Sequence, residues 1–237
     1  MLRVDLIVLA GGRGSRLGGA LKPAVEVAGR PLLSRVLDAR PLAQQAVVVG
    51  PAGARPAAID EHGNAVSVVW ALEDPPFGGP VAGLAAGLAA LDAAYEGALE
   101  AAHDADAPML DEPAGWVLVL ACDLPYGAVA ARTLLSCTSA LLQIGDADKV
   151  DGVHFTDLHG RSQWLAALYR APALRAAMAR LGDRVGDASM RMLLEGLHLT
   201  ALMDESTAST DVDTWEDVEN STARLTGAPD QVARPEE

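Results

Sequence analysis

Aromatic residues make up only 4% of this 237-residue chain, so its core must be built mainly from Ala, Leu and Val. Cations are also scarce: 18 Lys and Arg stand against 32 Asp and Glu, a formal net charge of −14. Non-specific nucleic-acid binding displaces counterions with clustered Lys and Arg, and no such cluster occurs, so no nucleic-acid partner is expected. The two cysteines, Cys122 and Cys137, form neither a CxxC pair nor a zinc spacing and read as buried reduced thiols, as in a reducing cytosol. Long apolar runs are missing too. The run within Met1–Ala10 carries Arg3 and Asp5 and is strand-length, and Pro80–Leu91 is too short to span a bilayer. These absences predict a soluble, cytoplasmic protein with no membrane partner. An anionic ligand would need locally placed cations and backbone N–H groups, because the overall field repels it. His62, His103, His154, His159 and His198 form no triad or metal spacing, and no catalytic role is assigned to them.

What is present is alternation. Apolar runs of strand length occur at Val4–Ala10, Gln45–Val49, Val66–Ala71, Trp116–Ala121, Val150–Phe155, Trp164–Tyr169 and Leu197–Met203. Between them, helices are expected at Pro31–Ala39, Pro80–His103 (weakened by Gly83 and Gly87), Val129–Leu142, Pro172–Leu181, Ser189–Leu194 and Thr214–Leu225. The pattern predicts an α/β fold: three layers, α/β/α, Rossmann-like, around a mostly parallel sheet. With no linker or repeat in view, residues 1–225 read as one domain. The acidic, proline-interrupted stretch Asp104–Ala114 reads as a surface insertion, and residues 226–237 as a disordered tail.

Ligands of such sheets sit beyond the carboxyl ends of the strands, and the candidate motifs fall there. The first strand runs into Leu9-Ala10-Gly11-Gly12-Arg13-Gly14-Ser15-Arg16-Leu17-Gly18-Gly19, followed by Lys22-Pro23. Glycines let backbone turn tightly and approach a ligand, and successive N–H groups can form an anion-binding nest. With Arg13, Arg16 and Lys22 added, the ligand this loop suits is a polyphosphate. It is neither a P-loop, lacking G-x-x-x-x-G-K-[ST], nor a dinucleotide fingerprint, since Gly12, Gly14 and Gly18 give GxGxxxG. Lys22 is expected in a polar loop, removable without loss of packing.

The fourth strand leads into Cys122-Asp123-Leu124-Pro125, which places a carboxylate at the same edge. Such a carboxylate suits a hard cation bound together with phosphate oxygens, or else a turn cap. In Asp211-Val212-Asp213-Thr214-Trp215-Glu216-Asp217, alternation puts Asp211 and Asp213 on one side. Asp213 or Thr214 would cap the last helix, so capping is assigned mainly to Asp213 and metal binding to Asp211.

The segment LAGGRGSRLGGALKP resembles the signature of the nucleoside-triphosphate transferase superfamily, and most closely its molybdenum cofactor guanylyltransferase branch. Leu21, however, stands before the lysine where that branch often has an acid. The resemblance extends over about residues 4–225 and lapses over roughly 91–114. It implies that Leu9, Ala10 and Gly11 contact a nucleotide through backbone, with Gly12 and Gly14 completing the loop, and that Arg16 and Lys22 contact phosphates. It implies that Asp123, with Asp211, binds Mg2+ (Mn2+ as substitute), and that the stretch from Glu73 to Leu84, including Asp74 and Gly79, recognises the base. Of the two acids there, position in the family favours Asp74. Arg161 and Arg170 would reach the acceptor's phosphate. Arg16, Lys22 and Asp123 would be the catalytic groups. The implied reaction is transfer of GMP from GTP to molybdopterin or its molybdenum form, with release of pyrophosphate. The implied partners are GTP, that acceptor, and, transiently, proteins that deliver or receive the cofactor. The alternatives are cytidylyl transfer to a related molybdopterin cofactor, transfer to a sugar or alcohol phosphate, and a nucleotide-binding regulator without turnover.

Overall fold

The computed structural model describes residues 2–12, 14–101, 112–144 and 150–227. In chain order the elements are β1 (Val4–Leu9), β2 (Glu26–Val27), β3 (Arg30–Pro31), α1 (Leu32–Leu37), β4 (Ala46–Val49), β5 (Val69–Ala71), α2 (Gly79–Ala101) and β6 (Trp116–Ala121). They continue with α3 (Gly127–Gln143), β7 (Gly152–Thr156), β8 (Ser162–Arg170), α4 (Ala171–Leu181), α5 (Met190–Leu194), β9 (Leu199–Met203) and α6 (Trp215–Thr226). Seven strands form one sheet in the order β5-β4-β1-β6-β8-β7-β9, while β2 and β3 pair as a small separate hairpin. Only β8 runs against its neighbours; the other pairings in the large sheet are parallel. The expected α/β architecture with a mostly parallel sheet is what the chain adopts.

The central strands are apolar at every position but Asp5 because both faces of the sheet are covered. From β1, Leu6 and Val8 pack against α1 and α3, whereas Ile7 packs against α2. From β6, Leu118 and Leu120 share the first core, and Val117 and Val119 meet α2, α4 and α5 in the second. Gly83 and Gly87 do more than weaken α2. A Cβ on Gly87 would come within 2.8 Å of Ile7 Cγ2, so this glycine sets how closely the helix lies on β1.

Several boundaries differ from the sequence reading. The strand expected over Val66–Ala71 is confined to β5, because Ala65 bridges to Ile59 and Val66 N donates to Ala58 O, tying both to the preceding turn. The last helix begins one residue late, with Thr214 as its cap, and ends at Thr226 with Gly227 at its C-cap. Of the expected surface insertion, residues 104–111 lie outside the described residues; of the expected tail, residues 228–237 do. Among the described residues, no helix is long and apolar enough to cross a membrane.

Candidate active site

Strands β1 and β6 lie side by side at the centre of the sheet, but the chain leaves their carboxyl ends in different directions. A crevice opens where such connections diverge. Cys122 N donates to Leu9 O at 2.9 Å, so Asp123 and the glycine loop emerge together. The loop then folds on itself: Leu17 N and Gly19 N both donate to Gly14 O. Gly14 has φ 55, and a Cβ there would sit 2.3 Å from Ala20 O, so only glycine fits. Leu17, 2% exposed, anchors the loop in a small third core with Val25, Val27, Leu32 and Val212. That same core orients the closing motif. Val212 is buried and its N–H donates to Asp123 O at 3.0 Å, which leaves Asp211 and Asp213 facing Asp123. Carboxylate oxygens of Asp123, Asp211 and Asp213 all lie within 4.8 Å of one another, a set that could hold a metal ion.

Lys22 occupies the middle of this arrangement. Its Nζ lies 2.6 Å from Asp123 Oδ2 and also pairs with Asp213 Oδ1. At 8% exposure it is a buried ion-pair partner rather than a free loop residue, which corrects the expectation that it could be removed without structural cost. Burial alone would lower its pKa, but the charges and hydrogen bonds of Asp123 and Asp213 outweigh that and hold it well above the usual lysine value. Arg16 Nη1 meets Asp213 Oδ2 at 2.8 Å from a largely exposed position. Asp211 is open to solvent on one side; the protein packed around it, then the charges of Asp123 and Asp213, raise its pKa above the ordinary range. Among the described residues, the buried Asp123 Oδ1 has no hydrogen-bond partner.

Asp213 is therefore not the helix cap. Thr214 Oγ1 accepts from Asp217 N at 3.2 Å, while Asp217 Oδ2 accepts from the backbone N–H groups of Asp213 and Thr214 and from the Thr214 hydroxyl. This closed capping box leaves the Asp213 carboxylate available to the two cations. The scarcity of cations was the available signal: a loop concentrating Arg16 and Lys22 needs counter-charges, and Asp213 is one.

A cavity of about 360 Å3 opens beside this cluster, lined by Leu9, Gly11, Gly12 and Lys22 on one side and by Ala121, Cys122, Asp123 and Leu165 on another. Val49, Glu73, Phe77 and the start of α2 (Gly79, Pro80, Gly83) complete it. Ala10 lies buried behind the wall, and Gly14 shapes the loop without lining the cavity. Glu73 rather than Asp74 lines it. Glu73 is 6% exposed and its Oε1 accepts from Phe77 N at 3.1 Å, whereas Asp74 is exposed and absent from the wall. The reason is alternation: leaving β5, Glu73 follows the side of Ala71, and Asp74 falls on the opposite one. Phe77 itself has φ 66, a region that costs a bulky L-residue about 1–2 kcal/mol.

A second cavity, about 280 Å3, meets the first at Ala121, Asp123 and Leu165 and is bounded by Ser162, Gln163, Trp164, Met190 and Asp211. Its wall is the amino end of β8, which lies at this edge because β8 is reversed. That reversal carries Arg170 to the opposite edge of the sheet, where it pairs in register with Trp116, the first residue of β6. Its Nε donates to Val150 O, and its guanidinium lies 4.8 Å from the Trp116 ring centroid. Arg170 therefore lies away from this site, which corrects the expectation that it would reach an acceptor's phosphate. Arg161 is exposed in the β7–β8 turn at the site's edge, and Arg13 lies outside the described residues. Burial pushes the Cys122 thiol well up, so it is an unreactive part of the wall.

Solved structures share this fold across nearly their whole length. A molybdopterin-guanine dinucleotide biosynthesis protein A from Archaeoglobus fulgidus superposes with a TM-score of 0.60 at 18% identity, covering 94% of this chain and 99% of its own. A nucleotidyl transferase from Methanothermobacter gives 0.62 at 18%, covering 95% and 98%. The 2-C-methyl-D-erythritol 4-phosphate cytidylyltransferase of Thermus thermophilus gives 0.59 at 17%, covering 95% and 100%. No curated protein matches the sequence. The family model described as MobA-like NTP transferase domain matches residues 6–202, most of the chain. With a glycine-rich loop, a lysine and an acidic cluster gathered at one sheet edge, the chain belongs to the MobA-like NTP transferase domain family and is a nucleotidyltransferase.

Proposed function

We propose that this chain transfers GMP from GTP to molybdopterin or its molybdenum form and releases pyrophosphate. The observation that carries the reading is a single cavity with the Glu73 carboxylate in one wall and the Lys22–Asp123 pair in another. Guanine presents adjacent N1–H and N2–H donors that one carboxylate can accept. Adenine offers an N1 lone pair there and cytosine an N3 lone pair, which a carboxylate repels. A site built for such hydrogen bonds rejects mismatched bases because its buried polar groups are left unpaired.

The acceptor would enter by the second cavity, which meets the first at Asp123. A phosphate monoester is already largely dianionic at pH 7, so its oxygen can attack the α-phosphorus without a general base. One P–O bond forms as the bond to the bridging oxygen breaks, and pyrophosphate leaves with the electron pair. Lys22 and Arg16 supply positive charge to the phosphates, and the buried, paired setting of Lys22 keeps its ammonium protonated and positioned. Asp123 and Asp211 would hold Mg2+, or Mn2+ in its place. The partnerless, buried Oδ1 of Asp123 fits such a ligand role. When bound, the ion would neutralise charge on the triphosphate.

Competition between GTP and CTP, with molybdopterin as acceptor and pyrophosphate release as readout, tests the reading. Preference for GTP supports it, and preference for CTP moves the chain to cytidylyl transfer. Turnover with a sugar phosphate but not with molybdopterin overturns the cofactor role, and nucleotide binding without any turnover makes the chain a regulator.

A further inference from the structure

Phe77 is a large apolar side chain that is mostly exposed beside the nucleotide cavity. It is 58% exposed, so the core gains little from it. Its backbone lies at φ 66, a region glycine enters freely and a phenylalanine does not. The hydrogen bond that orients Glu73 comes from the Phe77 backbone N–H, which any non-proline residue would provide. Phe77 also lines two cavities. One is the nucleotide cavity, where Phe77 is the only aromatic among the described lining residues, beside Glu73. The other lies against Gly11, Gly12, Gly19, Ala20, Leu21 and Pro51. The ring thus stands between the Glu73 loop and the Gly11–Gly12 backbone, at the mouth of the cavity. Away from Lys22, Cys122 and Asp123, the wall around Phe77 and Glu73 is small or aliphatic, with Leu9, Val49, Pro80 and Gly83.

We infer that the Phe77 ring covers the base of a bound nucleoside triphosphate, stacking on its face while Glu73 holds its edge. The strained turn is kept because it serves both contacts: it points the N–H at Glu73 and the ring over the cavity. Every base has a π-face, so this contact adds affinity for nucleotide as a class, and discrimination among bases is left to Glu73. The inference rests on reading the cavity as a nucleoside-triphosphate site.

The test uses the full chain with Mg2+ and measures Kd by calorimetry for GTP and for inorganic tripolyphosphate, which has no base. Phe77→Gly relieves the backbone, so its melting temperature should equal or exceed that of the wild type. Its Kd for GTP should nonetheless rise about tenfold or more, while its Kd for tripolyphosphate stays unchanged. Phe77→Trp should bind GTP as tightly as the wild type. Phe77→Leu, with apolar bulk and the same backbone strain but no π-face, should weaken GTP binding. Wild-type GTP affinity in Phe77→Gly or Phe77→Leu overturns the inference. So does an equal loss for GTP and tripolyphosphate, or a marked drop in the melting temperature of Phe77→Gly, which would make the ring a packing element. Each of those outcomes leaves the proposed transfer standing, whereas a wild-type chain that binds no nucleotide removes both.

Discussion

Asp123 and Asp204 each stand just past the carboxyl end of a strand, β6 and β9, and both are largely buried. Their surroundings differ completely. Asp204 accepts from Ser206 Oγ and Ala208 N on one oxygen, and from Ser209 N and Ser209 Oγ on the other. Asp123 has Lys22 on one oxygen and, among the described residues, no hydrogen-bond partner on the other. A carboxylate whose oxygens are all engaged by its own chain holds a loop together. One that keeps a buried oxygen unpaired, a costly state for a desolvated acceptor, is left unfinished by its own chain, which is what the proposed metal role calls for. The two acids thus share a position at a strand's end and differ in hydrogen-bond closure, and the metal role proposed for Asp123 rests on that difference.

The largest effects should come from the unfinished side. Lys22→Ala should lower turnover on the order of 10²-fold or more, measured as pyrophosphate release, because a preorganised charge at the reacting phosphates is lost. It should also lower the melting temperature in metal-free buffer, because Asp123 and Asp213 are left facing each other. Mg2+ should restore part of that loss. An unchanged melting temperature with and without Mg2+ would show that the acids do not need a cation between them. Asp123→Asn should abolish most Mg2+-dependent turnover yet shift the melting temperature little, since Lys22 keeps Asp213 as its partner and the mutual repulsion of the three neighbouring acids is reduced. A Mg2+ titration like that of the wild type would place Asp123 with Asp204 as a purely structural acid.

Next in size is the contrast between neighbours in the base loop. Glu73→Gln should reduce the preference for GTP over CTP by about tenfold or more, because the amide presents a donor where guanine's donors arrive. Asp74→Asn, on the exposed side of the loop, should leave the preference unchanged. If Asp74→Asn is the damaging change and Glu73→Gln the silent one, the carboxylate lining the cavity does not read the base.

Much of this was legible in the sequence, for reasons that can be named. Continuous apolar runs such as Val4–Leu9 and Trp116–Ala121 mark strands buried on both faces, and helical periods between them fix a mostly parallel sheet. The loop and Asp123 were readable because glycines and a carboxylate past such runs fall on one edge. The Asp211-Val212-Asp213 alternation likewise put both acids on one side. What stayed hidden depended on partners distant in sequence. Lys22 looks like a loop residue until Asp213, 191 positions later, closes over it. Asp213 looks like a cap because Thr214 and Asp213 are equally good caps locally. Glu73 and Asp74 differ by one step of a strand whose side cannot be set until its end is known. Arg170 was misplaced because nothing local reveals that β8 runs backwards.

The smallest and cleanest expected effect tests the closed side of the comparison. Asp204→Asn replaces one accepting oxygen with an NH2 group, which would face donors from Ser209 or from Ser206 and Ala208. Leaving such buried donors unpaired should cost about 1–3 kcal/mol, and each kcal/mol should lower the melting temperature by about 2–4 °C in a domain of this size. Turnover per folded molecule should be unaffected. The pH dependence follows from the sign of the shift. Burial by itself would raise the Asp204 pKa, but the hydrogen bonds from Ser209, Ala208 and Ser206 outweigh it and hold the carboxyl below its ordinary value. Its contribution to stability is therefore fully present above the unfolded-state pKa of about 3.9. That contribution is lost as pH falls through the lower, folded-state value. The stability gap between wild type and Asp204→Asn, measured by urea unfolding, should accordingly be constant from about pH 5 to 7 and shrink below about pH 4. A gap that widens as pH falls would mean that the carboxyl is bound more tightly as the acid than as the anion, and that Asp204 is not the closed, donor-saturated counterpart of Asp123.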